Sequence, residues 1–193
     1  AGAKHAFLVT GGGAMHLNDA FGRSPDLEVR CFHHEQSAAM AAESYFRVSN
    51  RLAVLNVTTG PGGINALNGV YGAYVDSLGM LVISGQVKRE TYLRNYDIPL
   101  RQLGDQEVDI VSMVRPIVKY ATVLQDPLRV REVMDKAIFL ARHGRPGPVW
   151  VDVPVDVQAM AIEAEALQGF DVTNVKSLAK DPDLTPNTTV CLE

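Results

Sequence analysis

The sequence predicts an α/β fold: a three-layer sandwich in which a mainly parallel, roughly six-stranded sheet is flanked by helices. Three observations carry the prediction. Short apolar runs alternate along the chain with stretches of helical period. Glycine-rich turns follow several of the apolar runs. The clearest amphipathic pattern, Val130, Val133, Met134, Ala137, Ile138 and Ala141, recurs at i, i+3, i+4 and i+7.

The elements follow in order. Ala6–Val9 reads as the first strand, Thr10-Gly11-Gly12-Gly13 as a tight turn, and residues 14–22 as a helix. The turn opens a helix as phosphate loops do, but it has neither the GxGxxG order nor the Walker lysine, so a nucleotide site is disfavoured. A cofactor edge resting there stays open. Leu27–Phe32 is the second strand and 35–48 the second helix. Ala53–Val57 is the third strand, Gly60-Pro61-Gly62 its exit turn, and 63–74 a helix. Met80–Ser84, Val118–Val123 and Pro148–Val153 are the remaining strands, with helices over 107–113 and 127–143 between them. Arg142-His143-Gly144 is expected to end the last helix with positive charge and a C-cap glycine. The Gly144–Pro148 stretch reads as structural only. After Pro154 the pattern fades into an Ala/Glu-rich stretch and a Pro-, Asp- and Thr-rich tail, Asp181–Thr189, which reads as a linker.

Composition bounds the function classes. The 193 residues allow one domain with a real core plus an extension. Apolar residues make up 47% and charged residues 21%, ordinary for a globular chain. A net charge of −4 offers no basic face for nucleic acid. No apolar run approaches the ~20 residues of a membrane span, and no signal peptide is seen, so a cytoplasmic setting is expected. Cys31 and Cys191 are too few for a disulfide framework or metal knuckle, and Cys31 is expected in the core as a reduced thiol.

Glu35 is the residue of most chemical interest. It stands just after an apolar segment, where the mouth of a buried sheet is expected. Ala38, Ala42 and Tyr45 or Phe46 lie one turn apart on the following helix, so that face can lie close on another surface and desolvate the carboxylate. A plain helix N-terminus, where the dipole favours glutamate, is the simpler explanation of Glu35 taken alone. His33 and His34 are adjacent in an extended segment and point to opposite sides, so they make a weak metal pair. One of them can line the site, or both can be structural.

The surrounding motifs shift that balance. His33-His34-Glu35-Gln36-Ser37-Ala38-Ala39-Met40-Ala41-Ala42 resembles the glutamate segment of thiamine-diphosphate enzymes of the acetolactate synthase family. Thr58-Thr59-Gly60-Pro61-Gly62-Gly63-Ile64-Asn65 is similar to that family's Gly-Pro-Gly turn and asparagine. Val75–Met80, Ser84-Gly85-Gln86-Val87, Arg115-Pro116 and Arg145–Pro154 continue the series in family order over residues 6–157. The resemblance is to the N-terminal pyrimidine-binding domain. It implies that residues 1–157 form that domain and 158–193 a linker towards a central domain outside the sequence.

By that resemblance the cofactor is thiamine diphosphate and the substrate a 2-keto acid. Glu35 takes the place of the glutamate that bonds N1′ of the aminopyrimidine, favouring the imino tautomer that removes the C2 proton. Gly60-Pro61-Gly62 becomes the surface against which the ring packs, with Pro61, Asn65 and Gln106 as cofactor-binding residues. The family's magnesium site uses Gly-Asp-Gly and a later asparagine. Gly104-Asp105-Gln106 has the wrong third residue and no such asparagine, so no metal ligand is assigned here and Mg²⁺ is expected in a missing domain. The chain alone is therefore expected to be inactive, and the full enzyme to be a homodimer or homotetramer.

Some positions depart from acetolactate synthase. Val9-Thr10 replaces Tyr-Pro, Asp105 replaces the phenylalanine of Phe-Gln-Glu, and the segment from Gln86 to Gln106 is longer, with Arg89, Arg94, Tyr92 and Tyr96 in it. Those arginines suit an anionic acceptor such as a sugar nucleotide, or are simply solvated loop charges. The alternative from another class is a non-catalytic regulatory or oligomerisation module that kept the fold. Glu35, Pro61, Asn65 and Gln106 standing together argue against it. A further expectation is that Ala38, Ala39, Ala42, Gly60, Gly62 and Gly63 form a close-packing edge for another subunit.

Overall fold

The computed structural model describes residues 2–171. Six strands, β1 (His5–Leu8), β2 (Glu28–Cys31), β3 (Ala53–Val57), β4 (Met80–Gln86), β5 (Tyr120–Val123) and β6 (Pro148–Pro154), form one sheet in the order β2-β1-β3-β4-β6-β5. Every pairing is parallel. The helices are α1 (Met15–Arg23), α2 (Glu35–Ser49), α3 (Pro61–Val75), α4 (Ile110–Val114), α5 (Val130–Arg142) and α6 (Val155–Gln158).

Strand alternation builds two cores. Ala53, Leu55 and Val57 of β3, with Met80, Val82 and Trp150, meet Ala38, Ala39 and Ala42 of α2, Ala66, Val70 and Ala73 of α3, and Ile110, Val111 and Val114 of α4. On the other face Val54, Leu81, Ile83, Val149, Val151 and Val153 pack on Val133, Ala137, Leu140 and Ala141 of α5 and Val157 of α6, with Leu17 and Phe21 of α1 alongside. Each buried Val or Leu contributes about 1.5–3 kcal/mol, so both layers are held largely by the hydrophobic term.

The small residues of α2 and α3 are consumed inside the chain. A Cβ on Gly69 would stand 2.6 Å from the Ala39 Cβ and 2.7 Å from the Met40 amide nitrogen, so the two helices lie together only because residue 69 is glycine. Ala38, Ala39, Ala42, Gly62 and Gly63 are buried in this internal packing. They are not the free edge for a second subunit that the sequence suggested, because the sheet and the neighbouring helix cover them first.

Other expectations need correction. Cys31 is exposed, not in the core. It ends β2, a sheet-edge strand paired only to β1, in which just Val29 is half-buried. The helix expected over 107–113 begins only at Ile110, because the Asp109 side chain caps it by accepting the Ser112 amide at 3.2 Å. α3 starts earlier than expected, with Pro61 in its first turn. Gly144 takes the left-handed φ of 62°. The carbonyls at the end of α5 are gathered by a different cation: buried Lys119 donates from Nζ to the carbonyl oxygens of Leu140 (2.5 Å), His143 (2.7 Å) and Arg145 (2.8 Å).

Beyond β6 the described chain forms α6 and one 3-10 turn, Ala164–Ala166, while Asp181–Thr189 and Cys191 lie outside the described residues. Among the described residues no helix is long and apolar enough to cross a membrane. Because every pairing is parallel, the exits of β1, β2, β3 and β4 lie on one rim of the sheet, and the strand order reverses there between β1 and β3. In open parallel sheets that rim is where ligands bind.

Candidate functional site

The floor of the rim is built from three strand exits in close contact, the glycines of one lying against threonine side chains or the backbone of the next. After β1, a Cβ on Gly11 would stand 2.5 Å from the Thr58 Cβ, and one on Gly13 2.8 Å from Thr59. After β4, a Cβ on Gly85 would stand 2.0 Å from the Gly13 carbonyl oxygen. The Gly13 amide donates to Thr58 Oγ1 at 3.1 Å, and Thr59 Oγ1 donates to the Gly85 carbonyl at 2.9 Å. The Gly11–Gly13 turn thus serves close approach of these exits.

Above that floor the exits of β2 and β3 launch α2 and α3 side by side. Glu35 is the first residue of α2 and is half-buried within this chain, less enclosed than the sequence suggested. Asn65, one turn into α3, donates from Nδ2 to Glu35 Oε2 at 2.7 Å. The same Nδ2 lies 3.4 Å from His34 Nε2. Of the two adjacent histidines, His34 is therefore the one beside the carboxylate. Glu35 Oε1 points across Gly62, 3.5 Å from where a Cβ there would stand.

Gly60 has φ 57° and ψ −113°, which a side chain resists, and Pro61 follows it exposed in the first turn of α3. A Cβ on Gly60 would stand 1.9 Å from the carbonyl oxygen of Gln106. Gln106 itself has φ 57°. The structure thus joins Glu35 to Asn65 directly and sets Gln106 on the Gly60-Pro61 turn through its backbone, with its side chain exposed.

The longer segment after β4 is fastened down. Arg89 is paired with Asp156 at 2.7 Å and donates to the Gln125 carbonyl at 2.9 Å, and Arg94 lies 3.6 Å from Asp109. Tyr92 is buried, and Tyr96 Oη donates to the Glu90 carbonyl at 2.7 Å. These side chains hold the segment in place, so the expectation of arginines waiting for an anion is weakened by their partners.

One polar network was missed as such. Asp152, fully buried in β6, accepts from Ser84 Oγ at 2.5 Å and from Gln86 Nε2 at 2.9 Å, and Trp150 Nε1 donates to Ser84 Oγ at 2.7 Å. Gln86 Nε2 also donates to the Val108 carbonyl at 3.0 Å, tying the network to the residues just after Gln106. Burial pushes the Asp152 carboxyl up to about 7; the Ser84 and Gln86 bonds oppose this, the charge of Asp109 adds to it, and that of Arg94 subtracts. The signal was an acid inside the apolar run Val149–Val153. Among the described residues no group of three or more His, Cys, Asp or Glu could hold a metal ion.

Comparison with known proteins gives the family of the chain. Residues 1–113 match the family model described as thiamine pyrophosphate enzyme, N-terminal TPP binding domain. The chain is 38% identical over 167 residues to acetolactate synthase 2, chloroplastic, of Zea mays, covering 84% of this chain and 24% of that protein. It is 37% identical over 156 residues to the acetolactate synthase isozyme 3 large subunit of Escherichia coli K12, covering 81% and 26%. The chain thus spans about a quarter of the length of these relatives.

In fold it is similar to a solved thiamin diphosphate-dependent enzyme from Mycobacterium smegmatis, described as putative, with a TM-score of 0.74 and 21% identity, covering 93% of this chain and 34% of that one. It is also similar to the thiamine diphosphate-dependent 4-hydroxybenzoylformate decarboxylase of Rhodococcus jostii RHA1, with a TM-score of 0.70, 20% identity and the same coverage. With the family model matched over more than half of its length, this chain belongs to the thiamine pyrophosphate enzymes, in which it is an N-terminal TPP-binding domain.

Proposed function

We propose that residues 1–157 supply the aminopyrimidine side of the site in a thiamine-diphosphate-dependent carboligase or decarboxylase acting on a 2-keto acid, acetolactate-synthase-like, and that 158–193 lead on as a linker. The observation that carries the reading is the Glu35–Asn65 pair at the sheet rim, with Oε2 held by Asn65 and Oε1 beside Gly62, where no side chain intervenes. An aminopyrimidine fits such a place: its ring needs a flat, close surface, and its N1′ needs a carboxylate. When bound, thiamine diphosphate supplies a carbon nucleophile and an electron sink.

The chain's own residues prepare that chemistry. Asn65 fixes the Glu35 carboxylate through Oε2, leaving Oε1 to share a proton with N1′. Pro61 stiffens the turn on which the ring rests, and Gln106 borders it from the opposite loop. His34, beside Asn65, is a polar neighbour of the same carboxylate. A second subunit, in a homodimer or homotetramer, would cover the half-buried Glu35 and exclude water from the carboxylate. Mg²⁺ and the diphosphate are then held by a part outside these residues, in keeping with the quarter of the relatives' length that the chain spans.

The test is Glu35→Gln in the complete enzyme that carries this chain, read as deuterium exchange at C2 of bound cofactor. A neutral amide cannot share the proton as a carboxylate does, so exchange should drop by orders of magnitude while the fold persists. Exchange at the wild-type rate would remove Glu35 from this role.

A further inference from the structure

Glu107 makes an arrangement that the Glu35–Asn65 pair does not use. Its Oε1 accepts the amide of Leu93, and its Oε2 accepts the amides of Leu103 (3.1 Å) and Gly104 (2.9 Å). One carboxylate therefore closes both ends of the loop between Leu93 and Gly104. These amides converge outside any sheet or long helix, where backbone donors need a partner and a carboxylate is the strongest acceptor available. The loop folds onto its own start: a Cβ on Gly104 would stand 2.8 Å from the Val87 Cβ and 2.9 Å from the Thr91 carbonyl oxygen. Gln102 Nε2 adds a bond to the Gly104 carbonyl at 2.7 Å.

Gln106 sits inside this construction. The residue after it is the clasp, and the carbonyl of Val108, one further on, is held by the buried Gln86 amide. Between those tethers Gln106 keeps the left-handed φ of 57°, with its carbonyl against Gly60. A non-glycine residue holds that conformation only when its surroundings impose it.

We propose that Glu107 is a positioning residue: by gathering the Leu93, Leu103 and Gly104 amides it presets the loop that holds Gln106 over the Gly60-Pro61 turn, at the rim of the cofactor site. This rests on the assignment of that turn to the aminopyrimidine. The longer segment after β4 is then a rim element whose shape one side chain sets.

The experiment has two arms. In the 193-residue chain, Glu107→Ala should speed hydrogen exchange at the Leu93, Leu103 and Gly104 amides by about tenfold or more, as expected for lost hydrogen bonds. The β3 and β4 amides should keep their protection, showing that the chain still folds. Glu107→Gln keeps one acceptor oxygen and should restore protection at Leu93 or at the Leu103/Gly104 pair, not at both. In the complete enzyme, Glu107→Ala should raise the apparent KM for thiamine diphosphate about tenfold, with kcat at saturation changed less than about threefold and Glu107→Gln intermediate. Unchanged exchange in Glu107→Ala overturns the clasp. Faster exchange with KM unmoved overturns the positioning role. Glu35→Gln run alongside separates the two readings, since wild-type turnover in that variant sinks the site assignment whatever Glu107 does.

Discussion

Replacing Asp152 with asparagine should flatten the pH dependence of stability. The carboxyl is fully buried, bonded to Ser84 and Gln86, and its pKa rises from an ordinary 3.8 to about 7. A group whose pKa is raised on folding stabilises the fold below its unfolded value, and that contribution is lost as pH climbs to the folded one. Here the window runs from about pH 4 to pH 7, and three pH units at about 1.4 kcal/mol each give a full swing of about 4 kcal/mol. Between pH 5 and pH 8 the same curve gives about 2.5 kcal/mol. Asparagine carries no such term, although its amide would face the Gln86 amide and cost about 1–3 kcal/mol at every pH. The assay is urea unfolding at half-unit pH steps, followed by the single tryptophan, Trp150. The difference in unfolding free energy, wild type minus Asp152→Asn, should fall by about 2.5 kcal/mol from pH 5 to pH 8. A difference that stays level across that range would show that Asp152 does not titrate there, and that solvation or a proton partner has been overlooked.

Two further perturbations test the scaffold. Lys119→Met strands the carbonyls of Leu140, His143 and Arg145, and should cost about 3 kcal/mol in chemical denaturation, with fraying confined to the end of α5 in hydrogen exchange; a loss below about 0.5 kcal/mol would mean that water replaces the ammonium without penalty. Gly60→Ala meets both a φ of 57° and the Gln106 carbonyl at 1.9 Å, so it should lower stability by about 2 kcal/mol or more and unseat residues 104–108. An unchanged melting temperature with a well-ordered loop would show that the turn is more pliant than its contacts imply.

What the sequence disclosed and what it hid divide by range. The strands were legible because a sheet covered on both faces demands apolar runs, and β3 and β6 met the expected starts at Ala53 and Pro148. Glu35 at the head of α2 followed from the change of pattern after β2. Bonds across long separations were not legible: Asn65 to Glu35, Gln86 to Asp152 and Lys119 to the end of α5 join residues whose spacing carries no period. Buried polar residues inside apolar runs, Lys119 and Asp152, were the trace they left. Cys31 misled because an edge strand can read as apolar while facing water, and the alanine face of α2 misled because smallness says that something lies close without saying what.

The three strand exits that press together at Gly11, Gly13 and Gly85 have a consequence for redesign. A Cβ at Gly11 or Gly13 would drive into the Thr58 or Thr59 side chain, and one at Gly85 into the Gly13 backbone, so these three positions of the floor leave little room for variation. The segment from Val87 to Gln106 is different: side-chain bonds, among them those of Glu107, Arg89 and Arg94, hold it, and most residues from Asp97 to Gln106 are exposed. Variation at the rim therefore belongs on the exposed positions of that segment, with Glu107, which bonds three of its amides, left in place.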